Sequence, residues 1–265
     1  MTEVLSQEYA QALQLLKEAR QIVALSGAGI STEAGIPDFR SQGGIWQNSR
    51  LVEQLSVECF QRDPAGFYQA CLELLPNINR AQPTLAHRLL AQLEQAGKLI
   101  GVVTQNIDGL HQAAGSTRVY EIHGNFRTGH CVRCRRACQM SAYFTQLEQK
   151  LIAYPQCEEC GGPIKPDVIL FGDILPMDVW EAAVEAVEES DLLLVLGSSL
   201  VVYPAAGLPQ IALSTGSRLL IVNREPTRYD WRAEVVVHGM LGDFARAILD
   251  RWHPAGPGTA GILPA

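Results

Sequence analysis

Apolar residues along this chain gather in short unbroken runs separated by longer segments of mixed character. IVALS at 22–26, LIGVVT at 99–104, VYEI at 119–122, VILF at 168–171, DLLLVLG at 191–197, RLLIVN at 218–223 and EVVVHG at 234–239 each read as a strand. Continuous rather than alternating hydrophobicity predicts strands of a sheet covered on both faces. The intervening segments carry helical spacing. Leu5, Tyr9, Leu13 and Leu16 recur on one face of the first. PTLAHRLLAQLEQAG has Pro83 at its start and Gly97 as its stop, while MDVWEAAVEAVEES (177–190) and GDFARAILDRW follow later. Strands alternating with helices predict an α/β fold, a doubly wound parallel Rossmann-like sheet.

Two stretches break that rhythm: 41–80, a mixed helical region with Phe60, Phe67 and Tyr68, and 126–167, which holds Cys131, Cys134, Cys157 and Cys160. The knuckles CVRC and CEEC turn paired thiolates toward one point, and two such pairs complete the tetrahedron of a structural Zn²⁺. A redox dithiol needs only one pair, and four thiolates leave no open position for a zinc-bound water. Cys59, Cys71 and Cys138 are assigned to core packing. The expected organisation is a discontinuous Rossmann-like sheet domain (1–40, 81–125 and 168–253), a small helical and zinc-ribbon module (41–80 and 126–167) and a disordered Pro/Gly/Ala-rich tail (254–265).

Composition narrows the function. Among 265 residues, 21 Lys and Arg against 28 Asp and Glu give a net charge of −7, which argues against a specific nucleic-acid binder or an anionic-membrane binder. Arg127, Arg133, Arg135 and Arg136 make the ribbon locally basic, but a solvated face is the expectation in an acidic chain. No run reaches the ~18 apolar residues of a membrane span. The first twenty residues lack the apolar core of a signal peptide, and an odd count of seven cysteines fits a reducing, cytoplasmic setting. No pattern sets an oligomeric state.

In a doubly wound sheet, ligands lie beyond the carboxyl ends of the strands. The segments there are GAG (Gly27, Ala28, Gly29), TQNIDGLH (Gln105, Asn106, Ile107, Asp108), HGN (His123), FGD (Phe171, Gly172, Asp173), GSSL (Gly197, Ser198, Ser199, Leu200) and NRE (Asn223, Arg224). Gly27 and Gly29 permit close approach of a pyrophosphate. Ser198 and Ser199 suit phosphate or ribose, and Asn223 suits a hydroxyl of the second ribose. A third glycine of the dinucleotide fingerprint is missing at Thr32, and Gly35 and Pro37 break the helix that should follow.

Taken in order, GAGISTEAGIPDFR, TQNIDGLH, EIHGN, the paired knuckles, ILFGD, GSSLVVYPA and IVNRE resemble the sirtuin family of NAD-dependent protein deacylases over roughly residues 8–252. The resemblance implies NAD as co-substrate, one structural zinc and acylated-lysine proteins as substrates. It implies His123 as the general base for a ribose hydroxyl, an imidazole with an ordinary pKa of about 6.5. Asn106 then positions ribose and a water, Asp108 bonds the nicotinamide carboxamide, and Gln105 contacts the ribose. Phe39 shields the reacting sugar and Arg40 orients phosphate. Ala28, Thr32, Asp38, Ile107, Gly197, Arg224 and Leu241 complete the expected cofactor contacts. The peptide is expected as an added strand between Phe171-Gly172-Asp173 and Leu200-Val201. Asp173 stands where many members have Glu, and Ser198 where many have Thr.

Two other functions use overlapping parts: mono-ADP-ribosyl transfer to protein, and a non-catalytic NAD sensor with the ribbon as its interaction module. On acyl choice, a desuccinylating branch holds the distal carboxylate with a Tyr and an Arg three residues on. Here FYQACLELL offers Tyr68 but Cys71, so acetyl and other neutral chains are expected, with Arg62 and Arg80 as the arginines able to enter from elsewhere.

Overall fold

A computed structural model of the protein describes residues 6–38, 48–170 and 172–252. Leu5, Phe39, Arg40, Phe171 and the 254–265 tail lie outside the described residues. Six strands form one parallel sheet: β1 (Ile22–Ser26), β2 (Leu99–Thr104), β3 (Val119–Glu121), β7 (Leu192–Leu196), β8 (Arg218–Val222) and β9 (Val235–Val237). Their spatial order is β3-β2-β1-β7-β8-β9. The chain order therefore reverses between β1 and β7, the switch point at which such sheets open a crevice.

Both faces are covered, as unbroken apolar runs require. On one face α1 (Gln7–Glu18), α5 (Leu85–Gln95) and α10 (Leu241–Leu249) bury Leu16, Leu89, Leu93 and Phe244 against Ile22, Val102 and Leu194. On the other, α8 (Met177–Glu189) and α9 (Leu208–Ser214) bury Val187 and Ala212 against Val23, Leu193 and Ile221. Local signals fix the ends. Thr84 caps α5 by accepting from the His87 N–H, so the helix opens at Leu85, two residues after Pro83. Gly97, at φ +71°, stops the chain beyond it.

A third core lies off the sheet. It gathers Cys59 and Phe60 of α3 (Val57–Arg62), Phe67, Tyr68, Cys71 and Leu75 of α4 (Pro64–Arg80), and Phe144 of α7 (Ser141–Glu148). Phe126 of β4 (Gly124–Cys131) joins them, as do Ile164 and Val168 of β6 (Ile164–Val168). A preceding short helix, α2, spans Ser49–Gln54. With β5 (Ala137–Gln139), β4 and β6 make an antiparallel sheet in the order β5-β4-β6.

One expected strand is corrected here. Among the described residues of VILF, none enters the parallel sheet: Val168 alone is in a strand, and it pairs with Gly124 in the small sheet. Val168 and Leu170 are buried in the third core. A four-residue apolar run fits either environment, and periodicity does not distinguish them.

Candidate active site

A cavity of about 510 Å³ opens over the switch point. Its wall takes Gly27, Ala28, Gly29, Thr32 and Asp38 from the segment after β1, and Gln105, Asn106, Ile107 and Asp108 from that after β2. His123 follows β3, Gly197, Ser198 and Ser199 follow β7, Asn223 and Arg224 follow β8, and Leu241 opens α10. Gly172 also lines it. The structure thus brings together on one surface residues that the sequence spreads over more than 200 positions.

The glycines also meet a packing constraint within the protein. A Cβ on Gly27 would sit 2.8 Å from the Gly197 carbonyl oxygen, and one on Gly29 2.8 Å from Gly197 Cα. Gly197 itself is left-handed at φ +61°. The GAG turn and the β7 turn are pressed backbone to backbone, so the space a side chain would take is filled by protein. Both turns still face the cavity.

Hydrogen bonds fix the polar groups at this rim. Asn106 is buried, and its Nδ2 donates to the Gly27 carbonyl at 3.2 Å and to Ser31 Oγ at 3.1 Å. Ser31 Oγ donates onward to Asp108 Oδ2 at 2.6 Å. Gln105 Nε2 donates to Ser198 Oγ at 2.9 Å. His123 Nδ1 lies 3.0 Å from the Gln105 carbonyl, an acceptor only. That contact places the ring proton on Nδ1 and leaves Nε2 as a free base. Burial pulls the His123 pKa below its ordinary value, and the carbonyl partner pulls the other way. The imidazole is therefore neutral at neutral pH.

Three expected substrate residues do not line the cavity. Asp173 turns to Lys165, with Nζ 2.8 Å from Oδ2. Leu200 is 2% exposed, packed in the core under α8 and α9, and Val201 is 47% exposed. Gly172 (φ +94°) and Leu200 (φ +53°) are both left-handed, so as arranged here neither offers an extended edge at that residue.

The other end of the cavity is apolar: Leu55, Leu74, Ile78, Phe126, Val168 and Leu170, with Asn77 among them. Sequence reasoning named none of these as wall residues. Helical spacing on α4 carries the signal, because Leu74, Asn77 and Ile78 share one face of that helix. Tyr68 and Cys71, expected at the acyl channel, are wholly buried in the small-module core, and the Tyr68 hydroxyl donates to the Ile164 carbonyl. Arg62 is exposed beside Glu53, and neither it nor Arg80 is among the lining residues. Among the described residues, Arg224 is the only Lys or Arg on the cavity wall.

The four knuckle sulfurs lie within 4.8 Å of one another, with Cys131 and Cys160 at 3.4 Å and Cys134 and Cys157 at 3.6 Å. Tetrahedral zinc with Zn–S bonds of about 2.3 Å needs sulfurs about 3.8 Å apart, so the set fits that ion. Backbone N–H groups add to the fit. The amides of Cys134 and Cys160 lower the Cys131 and Cys157 pKa values and that of Arg136 acts the same way on Cys134, whose pKa is nevertheless raised by its bonds to the other three sulfurs. Cys138 stands apart, its thiol donating to the Gly129 carbonyl.

Comparison with known proteins matches this arrangement. The family model described as "Sir2 family" covers residues 27–204. An NAD-dependent protein deacetylase 2 of Caldanaerobacter subterraneus subsp. tengcongensis is 44% identical over 233 residues, 86% of this chain and 90% of its own. A solved Sir2 mutant with a deacetylated p53 peptide and 3′-O-acetyl ADP-ribose superposes at TM-score 0.85, with 40% identity over 91% of this chain and 97% of its own. A Sir2Tm structure bound to a propionylated peptide gives TM-score 0.82 and 40% identity at the same coverage. On these matches, and with the strand-end site and four-cysteine cluster in place, the chain belongs to the Sir2 family.

Proposed function

We propose that this protein is an NAD-dependent protein-lysine deacetylase, releasing nicotinamide and forming O-acyl-ADP-ribose, and that it accepts other neutral acyl groups as well. One observation carries the reading: a neutral His123, its Nε2 free, on the same cavity wall as Asn106 and Asp108. NAD supplies a glycosidic bond activated by its cationic nicotinamide, which the acyl-lysine carbonyl oxygen displaces. Asn106 holds the ribose against the GAG turn, and Asp108, kept in place by Ser31, receives the nicotinamide carboxamide. His123 Nε2 then takes a proton from a ribose hydroxyl, which attacks the imidate carbon; water adds at that carbon and its C–N bond breaks, releasing the lysine amine and leaving the acyl group on ADP-ribose. Gln105 serves twice, its carbonyl orienting His123 and its side chain holding Ser198 at the phosphate end. The apolar wall excludes water from a sugar cation that water would otherwise capture.

The remaining assignments belong to the same reading. Adenosine and pyrophosphate are held by Gly27, Ala28, Gly29, Thr32, Gly197, Ser198, Ser199, Asn223, Arg224 and Leu241. Zinc on Cys131, Cys134, Cys157 and Cys160 holds the small module together and takes no part in the chemistry. The substrates are acylated-lysine proteins, met in the cytoplasm and without a nucleic-acid partner. Ribbon arginines support this last point: Arg133 donates to the Cys160 carbonyl and Arg136 pairs with Glu159. No helix among the described residues is long and apolar enough to cross a membrane.

The test is nicotinamide release from NAD with and without an acetyl-lysine peptide. Release that depends on the peptide, and on His123, supports the reading. Nicotinamide release with the peptide still acetylated and now carrying ADP-ribose would support transferase activity, and NAD binding with no release would support a sensor.

A further inference from the structure

Two histidines outside the cavity are the most deeply buried titratable side chains near the site. His87 in α5 is 0% exposed and His111, in the short helix α6 (Leu110–Ala113), is 1% exposed. Their ring centroids are 4.7 Å apart. Burial pushes the His87 pKa down to about 4 and holds His111 well below its ordinary value, so both rings are neutral at physiological pH.

Neutral rings have one donor and one acceptor each, and the partners assign them. His87 Nδ1 accepts from the Thr84 N–H at 3.2 Å, so its proton is on Nε2. His111 Nε2 is 2.8 Å from Ser26 Oγ, and Ser26 Oγ donates to Thr104 Oγ1 at 2.8 Å. With the Ser26 proton committed to Thr104, His111 donates from Nε2. Thr104 Oγ1 in turn accepts from the Asn106 N–H at 3.1 Å. Ser26 and Thr104 are the last residues of β1 and β2, so this file of side chains runs directly beneath the rim. Thr84 Oγ1 lies 2.8 Å from His87 Nδ1 and 3.1 Å from the Ile30 carbonyl in the turn after GAG, placing α5 against the same rim. His87 Nε2 and His111 Nδ1, a donor and an acceptor, have no hydrogen-bond partner among the described residues.

We propose that His111 is a positioning residue for the reaction, acting through Ser26 and Thr104 to hold the Asn106 backbone, with His87 packed against it as the brace that fixes its ring. Neither imidazole touches substrate. This rests on the reading of Asn106 as the ribose-holding residue. A purely fold-stabilising pair would need only to fill space and satisfy its own polar atoms. The file found here instead converges on Thr104 Oγ1, which accepts from both Ser26 and the backbone N–H of Asn106, a residue of the cavity wall. A shift of about 1 Å in such a group costs on the order of 10²-fold in rate.

The experiment is a double-mutant cycle on the intact protein, reading kcat, KM for NAD, KM for an acetyl-lysine peptide and the thermal midpoint. His111→Leu removes the donor at similar bulk, His111→Gln retains an N–H donor, and Ser26→Ala breaks the file while leaving both rings in place. The expected result is a fall in kcat of about 10- to 100-fold for His111→Leu and Ser26→Ala, partial rescue by His111→Gln, and little change in peptide KM. In an Asn106→Ala background the same changes are expected to add less than about twofold. A lowered thermal midpoint with unchanged kcat in Ser26→Ala, or losses that multiply fully with Asn106→Ala, overturns the proposal. Should Asn106→Ala alone retain normal kcat, the assignment of Asn106 itself fails, and the positioning claim falls with it.

Discussion

The two ends of the cavity are built differently. At the polar end, β1, β2, β3, β7 and β8 stop at one level and each hands over a short segment whose groups are hydrogen-bonded before any ligand arrives: Asn106 to Gly27 and Ser31, Ser31 to Asp108, Gln105 to Ser198. At the apolar end the wall comes from α4, β4, β6 and the residues just after α2 and β6, and it is held by packing. The first end is suited to one fixed chemistry, because preorganised donors cost nothing to arrange during reaction. The second is suited to variation, since apolar walls read little beyond size and charge.

The comparison breaks most easily at the polar end. His123→Ala is expected to lower kcat by about 10²–10⁴-fold, the usual contribution of a positioned general base, while NAD still binds. A peptide deacetylation assay beside NAD binding by calorimetry checks this. Near-normal turnover would remove His123 from its role.

Removing zinc should strike the apolar end first. Without the ion, four thiolates that lie within 4.8 Å of one another repel, and β4 and β6 lose their tether. Chelator treatment or Cys157→Ser is expected to abolish peptide turnover while leaving NAD affinity within a few-fold. Metal content, turnover and NAD binding measured on one sample decide it, and full activity in zinc-free protein contradicts the account.

Acyl choice sharpens the contrast. With no Lys or Arg among the described residues at that end, a succinyl carboxylate meets no cation, and burying an unpaired charge costs several kcal/mol. Rates on one peptide should fall by at least about 10-fold from acetyl or propionyl to succinyl. Asn77→Arg, on the cavity-facing side of α4, should narrow that ratio. Succinyl removed as fast as acetyl by the unmodified protein points to an arginine outside this wall.

The smallest expected effect concerns acid stability. His87 and His111 have folded pKa values below that of an unfolded histidine, about 6.5, so the unfolded state binds protons first as pH falls. Stability is expected to be intact above pH 6.5 and to decline from there toward pH 4. His111→Gln should reduce the difference in thermal midpoint between pH 7 and pH 5. Equal differences in the two proteins would mean that His111 is not held neutral.

The legibility of the two ends in the sequence follows the same division. Unbroken runs such as DLLLVLG marked β7 and its neighbours, because only a doubly covered sheet tolerates them, and the residues just beyond are the polar rim. The cysteine knuckles were legible because ligand spacing is local. VILF was misplaced because a short apolar run carries no record of which core receives it. Tyr68 and Cys71 were placed at the acyl channel by alignment of a motif, whereas helical rotation turns them into the core and leaves Leu74, Asn77 and Ile78 facing the cavity. The His111–Ser26–Thr104 file had no sequence signal, since its members are 78 and 85 positions apart.

The central claim, that this site transfers an acyl group from lysine to ADP-ribose, is tested most directly by mass balance. Purified protein is incubated with NAD and an acetyl-lysine peptide, and all products are quantified by mass spectrometry. The account predicts equal amounts of nicotinamide, deacetylated peptide and O-acetyl-ADP-ribose, none of them formed by His123→Ala above background. Peptide that keeps its acetyl group and gains ADP-ribose, or acetate released without NAD consumption, would contradict it.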